Sequence, residues 1–99
     1  MTKLILNSTE FTINGYNRYT NINDDGVQSN ATVFFPGNSQ YAELTQVGAI
    51  SSLAIETDGS TVYSLSNLNA KITSINENLI DGIMQMTANI VLMDNVEAE

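Results

Sequence analysis

Cysteine, histidine and tryptophan are all missing from this chain of 99 residues. Without cysteine there is no disulfide framework and no thiol nucleophile, so folding needs no oxidising compartment. Without histidine the commonest general base near neutral pH is gone, and losing both removes the usual zinc ligands. No glycine-rich loop with the spacing that cradles phosphate is present. Basic residues are scarce too: three Lys and Arg against eleven Asp and Glu give a net charge of −8. That balance repels nucleic-acid backbones and anionic membranes, so neither is expected as a partner. No apolar run approaches the ~20 residues of a membrane span. Nor does a charged segment lead into an apolar one as in a signal peptide, and a soluble protein is expected.

Charge of either sign is sparse, at 14% of residues, where about a quarter is usual. Asn, Ser and Thr carry the polarity instead. Uncharged groups enter a protein–protein contact at lower desolvation cost than charges do, provided they find hydrogen-bond partners. The composition therefore favours a surface that packs against another protein.

The hydrophobic fraction of 42% is enough for one core, and no linker or repeat divides the chain, so a single domain over residues 1–99 is expected. The stretch from Ile50 to Met93 organises it. It holds two Asp-Gly steps, Asp58-Gly59 and Asp81-Gly82, each flanked by β-branched and apolar residues. Such steps signal tight hairpins, because Gly accepts φ > 0 and Asp tolerates it. Most of the Ile, Leu and Met lie here, so the core is expected here. In the last segment Met84, Met86, Ala88, Ile90 and Leu92 alternate with Gln85, Thr87 and Asn89, which is a strand buried on one side. The same pattern makes the Met84, Met86 and Met93 stripe core in preference to an adaptable binding face.

One segment reads two ways. Leu65, Leu68, Ile72, Ile75 and Leu79 recur at helical spacing. The residues between them are largely Asn, Ser and Thr, which compete for backbone hydrogen bonds and disfavour a helix. The segment is read as a strand with one bulge that brings Ile72 and Ile75 onto one face, with an α-helix over 66–80 as the alternative.

Toward the N-terminus, Lys3–Asn7 is a short β-prone run, and Phe11 and Ile13 alternate with Thr12 and Asn14. Gly15 predicts a bulge or sharp bend. Asn21–Gly26 predicts a turn, and Val27–Phe35 a strand with Val27, Ala31, Val33 and Phe35 inward and Phe34 covered from the other side. Residues 39–48 predict a short helix capped by Ser39 and Gly48. An acidic tail, 94–99, is expected to fray. Short strands with turn signals between them give a mainly β chain: an antiparallel β-sandwich or small barrel of about six to seven strands, with one short helix.

Candidate sites are few. NINDDG at Asn21–Gly26 looks like the start of a calcium loop, but the twelfth position is Thr32 where a bidentate Glu belongs, so a plain turn is the better reading. The carboxylate pairs Asp24-Asp25, Glu56 with Asp58, and Glu77 with Asp81 sit at or beside turns, where solvation and turn geometry explain them. No catalytic residue, metal, cofactor or small-molecule ligand is therefore expected, and the protein is not expected to be an enzyme. Among the aromatics, Phe11, Phe35 and Tyr63 read as core. Tyr16 and Tyr19 with Arg18 between them form a candidate protein-contact site, since Tyr and Arg anchor interfaces.

The stretches FTINGYNRYTNINDDG (Phe11–Gly26) and VYSLSNLNAKITSINENLIDG (Val62–Gly82) resemble small β-rich proteins of tailed bacteriophages and prophages. The resemblance is one of texture, rich in Asn, Ser and Thr and free of cysteine. It implies a structural or accessory component of the virion, in the head or tail, present in multiple copies and made in the host cytoplasm. The alternative it implies is a small acidic anti-defence inhibitor, anti-CRISPR-like or a DNA mimic, that binds a host protein. The expected partners are proteins, copies of this chain included.

Overall fold

A computed structural model describes residues 1–23 and 26–93; Asp24-Asp25 and residues 94–99, on which the expected turn and fraying tail fall, lie outside the described residues. The elements are β1 (Thr2–Leu6), β2 (Thr9–Ile13), β3 (Gly15–Asn23), β4 (Gly26–Phe35), α1 (Tyr41–Thr45), β5 (Leu53–Thr57), β6 (Ser60–Leu65), β7 (Ala70–Ile80) and β8 (Ile83–Met93). They form two antiparallel four-stranded sheets, in the orders β2-β1-β5-β6 and β3-β4-β8-β7, packed face to face as a small β-sandwich.

Period-two alternation builds the core. Ala31, Val33 and Phe35 of β4 and Met86, Ala88, Ile90 and Leu92 of β8 point inward from one sheet. Leu4, Leu6, Phe11, Ile13, Leu53 and Ile55 meet them from the other. Phe11 and Phe35 cross edge-to-face with ring centroids 6.4 Å apart, a geometry worth about 1 kcal/mol beyond burial. Half of the buried apolar residues among those described, Leu4 through Leu44, precede Ile50. The core is thus shared between the two halves of the chain rather than concentrated in the second.

Among the described residues, three hairpins close with two-residue loops in which both residues have φ > 0. Asp58-Gly59 (52°, 85°) joins β5 to β6, and Asp81-Gly82 (53°, 77°) joins β7 to β8, as their sequence predicts. The third, Asn7-Ser8 (51°, 78°), joins β1 to β2 without any glycine. Left-handed backbone at a non-glycine pair is costly, and the Asn7 side chain supplies a compensation. Its Nδ2 donates to the Ala49 carbonyl at 2.7 Å, while its Oδ1 accepts from the Ser51 amide at 2.8 Å, the Ser51 hydroxyl at 3.1 Å and the Ser52 amide at 3.3 Å. One amide therefore fastens the first turn to the segment leading into β5.

The bulged-strand reading of 70–80 is what the chain adopts. Register shifts between Ile72 and Ser74, so Ile72 faces Ile90 and Ile75 faces Ala88, both on the inner side. Several details differ from expectation. The Leu65–Leu79 segment divides into β6 and β7 in different sheets, with Asn67 (φ 56°) in the connection. Asn21–Asn23 extend β3 instead of forming a turn, and Asn23 pairs with Gly26. The division adds a strand and the extension lengthens one, and the described residues hold eight strands. The helix runs only from Tyr41 to Thr45 and has no side-chain cap. Ser39 does not cap it, and the neighbouring Gln40 turns its amide to the β2 edge, where it exchanges two 2.9 Å hydrogen bonds with the Thr12 backbone. Phe34 is not covered from the outer face but stays 41% exposed. Gly15 does mark a bend, the point where the chain leaves one sheet for the other. A Cβ there would lie 3.4 Å from the Phe34 ring, in ordinary contact.

Asn7→Ala should lower unfolding stability by about 2 kcal/mol, from lost hydrogen bonds plus left-handed strain, read as a shift in urea midpoint at constant m. Asn7→Gly keeps the backbone geometry and should cost less than Asn7→Ala. Equal losses would show that the turn conformation is not what Asn7 serves.

Candidate contact surfaces

The three residues singled out as a protein-contact site lie on β3, an edge strand, and alternation separates them. Tyr16 and Arg18 pair with Val33 and Ala31 on the inner side, whereas Tyr19 pairs with Asn30 on the outer side and is 57% exposed. Tyr16 packs its ring on Tyr63 of β6, 5.6 Å between centroids. Arg18 donates to the Tyr63 hydroxyl at 2.5 Å and to the Ser29 hydroxyl at 3.0 Å, and Thr20 closes the group with a 2.9 Å hydroxyl contact to Ser29. Tyr16 and Arg18 thus clasp the edges of the two sheets together. Tyr19 alone of the three is turned wholly outward.

The Tyr16 hydroxyl is buried and, among the described residues, meets no hydrogen-bond partner. Its pKa is raised well above the ordinary 10.0, first by burial and then by the adjacent Tyr63 hydroxyl, while the Arg18 guanidinium pulls the other way. Tyr63 lies close enough to act electrostatically without meeting hydrogen-bond geometry.

On the outer face of the longer sheet a polar row crosses three strands. Thr32 donates to Asn89 Oδ1 at 3.1 Å, and Asn89 Nδ2 donates to the Ser74 hydroxyl at 2.8 Å. Thr32, Asn89 and Ser74 thus satisfy one another across the sheet.

Among the described residues the carboxylates do not converge. Asp58 receives the N-terminal ammonium at 2.7 Å, a hydrogen bond that, with the charge, holds its pKa below the usual carboxylate value. Glu77 accepts from Asn38 at 3.2 Å. Among the described residues no three His, Cys, Asp or Glu side chains cluster where a metal could bind.

A surface missed by the sequence reading is the end of the β7–β8 hairpin. Leu79 is 66% exposed, Ile83 59% and Ile80 52%, with Leu79 opposite Met84 and Ile80 opposite Ile83. Both faces of this tip are apolar. The signal was available: Leu79-Ile80 and Ile83-Met84 are adjacent apolar pairs on either side of the turn. A hairpin with one solvated face would alternate there.

Tyr16→Phe removes an unpaired buried hydroxyl and should leave stability unchanged or raise it by about 1 kcal/mol. The raised pKa means the fold favours neutral Tyr16. Its contribution is complete below the ordinary tyrosine value of about 10 and is lost as pH rises from there toward the folded-state value. Wild type should therefore lose stability more steeply than Tyr16→Phe above that pH in chemical denaturation. Parallel curves would show that Tyr16 does not titrate differently on folding.

Comparison with known proteins finds no significant match for this chain among protein-family models, curated proteins or solved structures.

Proposed function

We infer that this protein is a non-enzymatic structural or accessory protein that works through protein–protein contact, in multiple copies and in a phage particle. The observation that carries the contact reading is the apolar end of the β7–β8 hairpin. Three large aliphatic side chains stand more than half exposed at one extremity of the molecule. Leaving them in water forgoes burial worth about 25 cal/mol per Å², and clustered exposed apolar groups mark association surfaces. The neutral Thr32–Asn89–Ser74 row on the outer face of the longer sheet and the exposed Tyr19 support the same reading, since neutral polar groups are cheap to desolvate when they find partners. The phage setting rests on the resemblance in texture.

Sedimentation velocity over a concentration series is expected to show self-association of the purified protein. Mass spectrometry of particles from a phage encoding it should find the chain in multiple copies. A protein that stays monomeric at every concentration and is missing from particles overturns this reading.

A further inference from the structure

The apolar hairpin end has a counterpart on the same molecule. A cleft of about 560 Å³ opens between the start of β7 and the segment from α1 to Ala49, within the size range of pockets that enclose apolar groups. Apolar Leu44, Ala49, Ala70 and Ile72 line it together with polar Thr45, Asn69 and Lys71. The cleft and the tip sit at opposite ends of the same strand. From Lys71 to Asp81 is ten residues of extended chain, on the order of 30 Å.

The charges at the two ends are complementary. Lys71 is exposed and, among the described residues, forms no ion pair with a carboxylate. The tip ends in exposed Asp81, which stands between the apolar pairs that would enter the cleft. In a chain with only three basic residues, one of them borders this partly apolar cleft.

We propose that the β7–β8 hairpin end of one copy docks in the α1–β7 cleft of the next, with Leu79, Ile80 and Ile83 entering the cleft and Asp81 meeting Lys71. This names the partner surface behind the self-association inferred above and rests on that reading. The two surfaces differ and lie at opposite ends, so the contact is head-to-tail: each joint leaves one free tip and one free cleft, and assembly continues instead of closing as a dimer. A hairpin end presents less than the ~800 Å² per partner of a standard stable interface, so each joint is weak and growth depends on concentration.

Sedimentation velocity of the full chain should show an open series of species that lengthens with concentration. The tip variant Leu79→Asp/Ile83→Asp and the cleft-filling variant Ala49→Trp alter exposed side chains, so both should keep the wild-type circular dichroism. Each alone should weaken self-association by at least about tenfold, the equivalent of about 1.4 kcal/mol. Mixed together they should form a one-to-one dimer that grows no further, because one retains the cleft and the other the tip. A zero-length carbodiimide should join Lys71 to Asp81, a link that the separation within one chain allows only between copies. The proposal is overturned if the folded variants associate like wild type, or if the mixture forms no dimer. Cross-linking of Lys71 to Asp94, Glu97 or Glu99 of its own chain would also overturn it, since the C-terminal segment would then occupy the cleft. In any of these cases a wild type that still associates leaves the broader contact reading standing, whereas a strictly monomeric wild type removes both.

Discussion

Strands of five or six residues cannot cover strands of nine to eleven. The sheet β2-β1-β5-β6 is built from the short set and β3-β4-β8-β7 from the long one. At about 3.3 Å per residue this is a slab of about 17–20 Å laid over one of about 30–36 Å. Burial therefore falls in the middle, where Leu4, Leu6, Phe11 and Leu53 lie over Val33, Phe35, Ala88 and Ile90. The ends of the longer sheet run past their cover, and the molecule is drawn out to 46 Å along its longest axis. Ile22 at one end and Leu79, Ile80 and Ile83 at the other are exposed for the same reason. They belong to strands whose partner sheet has already stopped.

That mismatch also separates what was legible in the sequence from what was not. Period-two alternation is local, so β2, β4 and β8 and most of their inward residues could be read directly, as could the two Asp-Gly hairpins. Met84, read as core, is only partly buried because it lies opposite Leu79 in the uncovered hairpin end. The side chains of Val27 and Met93 lie outside those described. The bulge in β7 was legible because it alone reconciles Ile72 and Ile75 with a single buried face. The β1–β2 turn was not. Asn7-Ser8 takes left-handed backbone without glycine because the Asn7 side chain is bonded to Ala49, Ser51 and Ser52, residues more than forty positions away. A long-range compensation leaves no short-range mark. Ser39 as a helix cap failed for a related reason: Gln40 makes a paired amide contact with Thr12 across the fold, and no helix-capping rule contains that contact. The candidate contact site shows the limit of reading spacing alone. Tyr16, Arg18 and Tyr19 are neighbours in sequence, but on a strand their alternation sends two to the sandwich edge and one outward.

The four sheet edges are treated differently. Gln40 occupies part of the β2 edge, and β3 and β6 are tied to each other through Arg18, Tyr16 and Tyr63. The start of β7 is met by Ile50, which exchanges backbone hydrogen bonds of 2.8 and 3.2 Å with Ala70. Beyond Ala70 the β7 edge continues for another ten residues. A bare edge of that length is an invitation to pair with another chain unless something disturbs it.

Two features of β7 disturb it near its start. The register shift at Thr73 breaks the regular spacing of edge donors and acceptors, and the Thr73 hydroxyl is turned back to the Asn89 carbonyl at 3.3 Å. Lys71 adds a charge beside it, a common guard against edge-to-edge pairing. Strand addition is thus disfavoured along the part of β7 that borders the cleft. The far half, from Ile75 to Ile80, keeps an even register with β8, but there the apolar side chains on both faces of the tip dominate the surface. Backbone pairing would leave those side chains in water, whereas end-on docking buries them. Side-chain burial and edge protection favour the same geometry: contact through the end of the hairpin, not along its side.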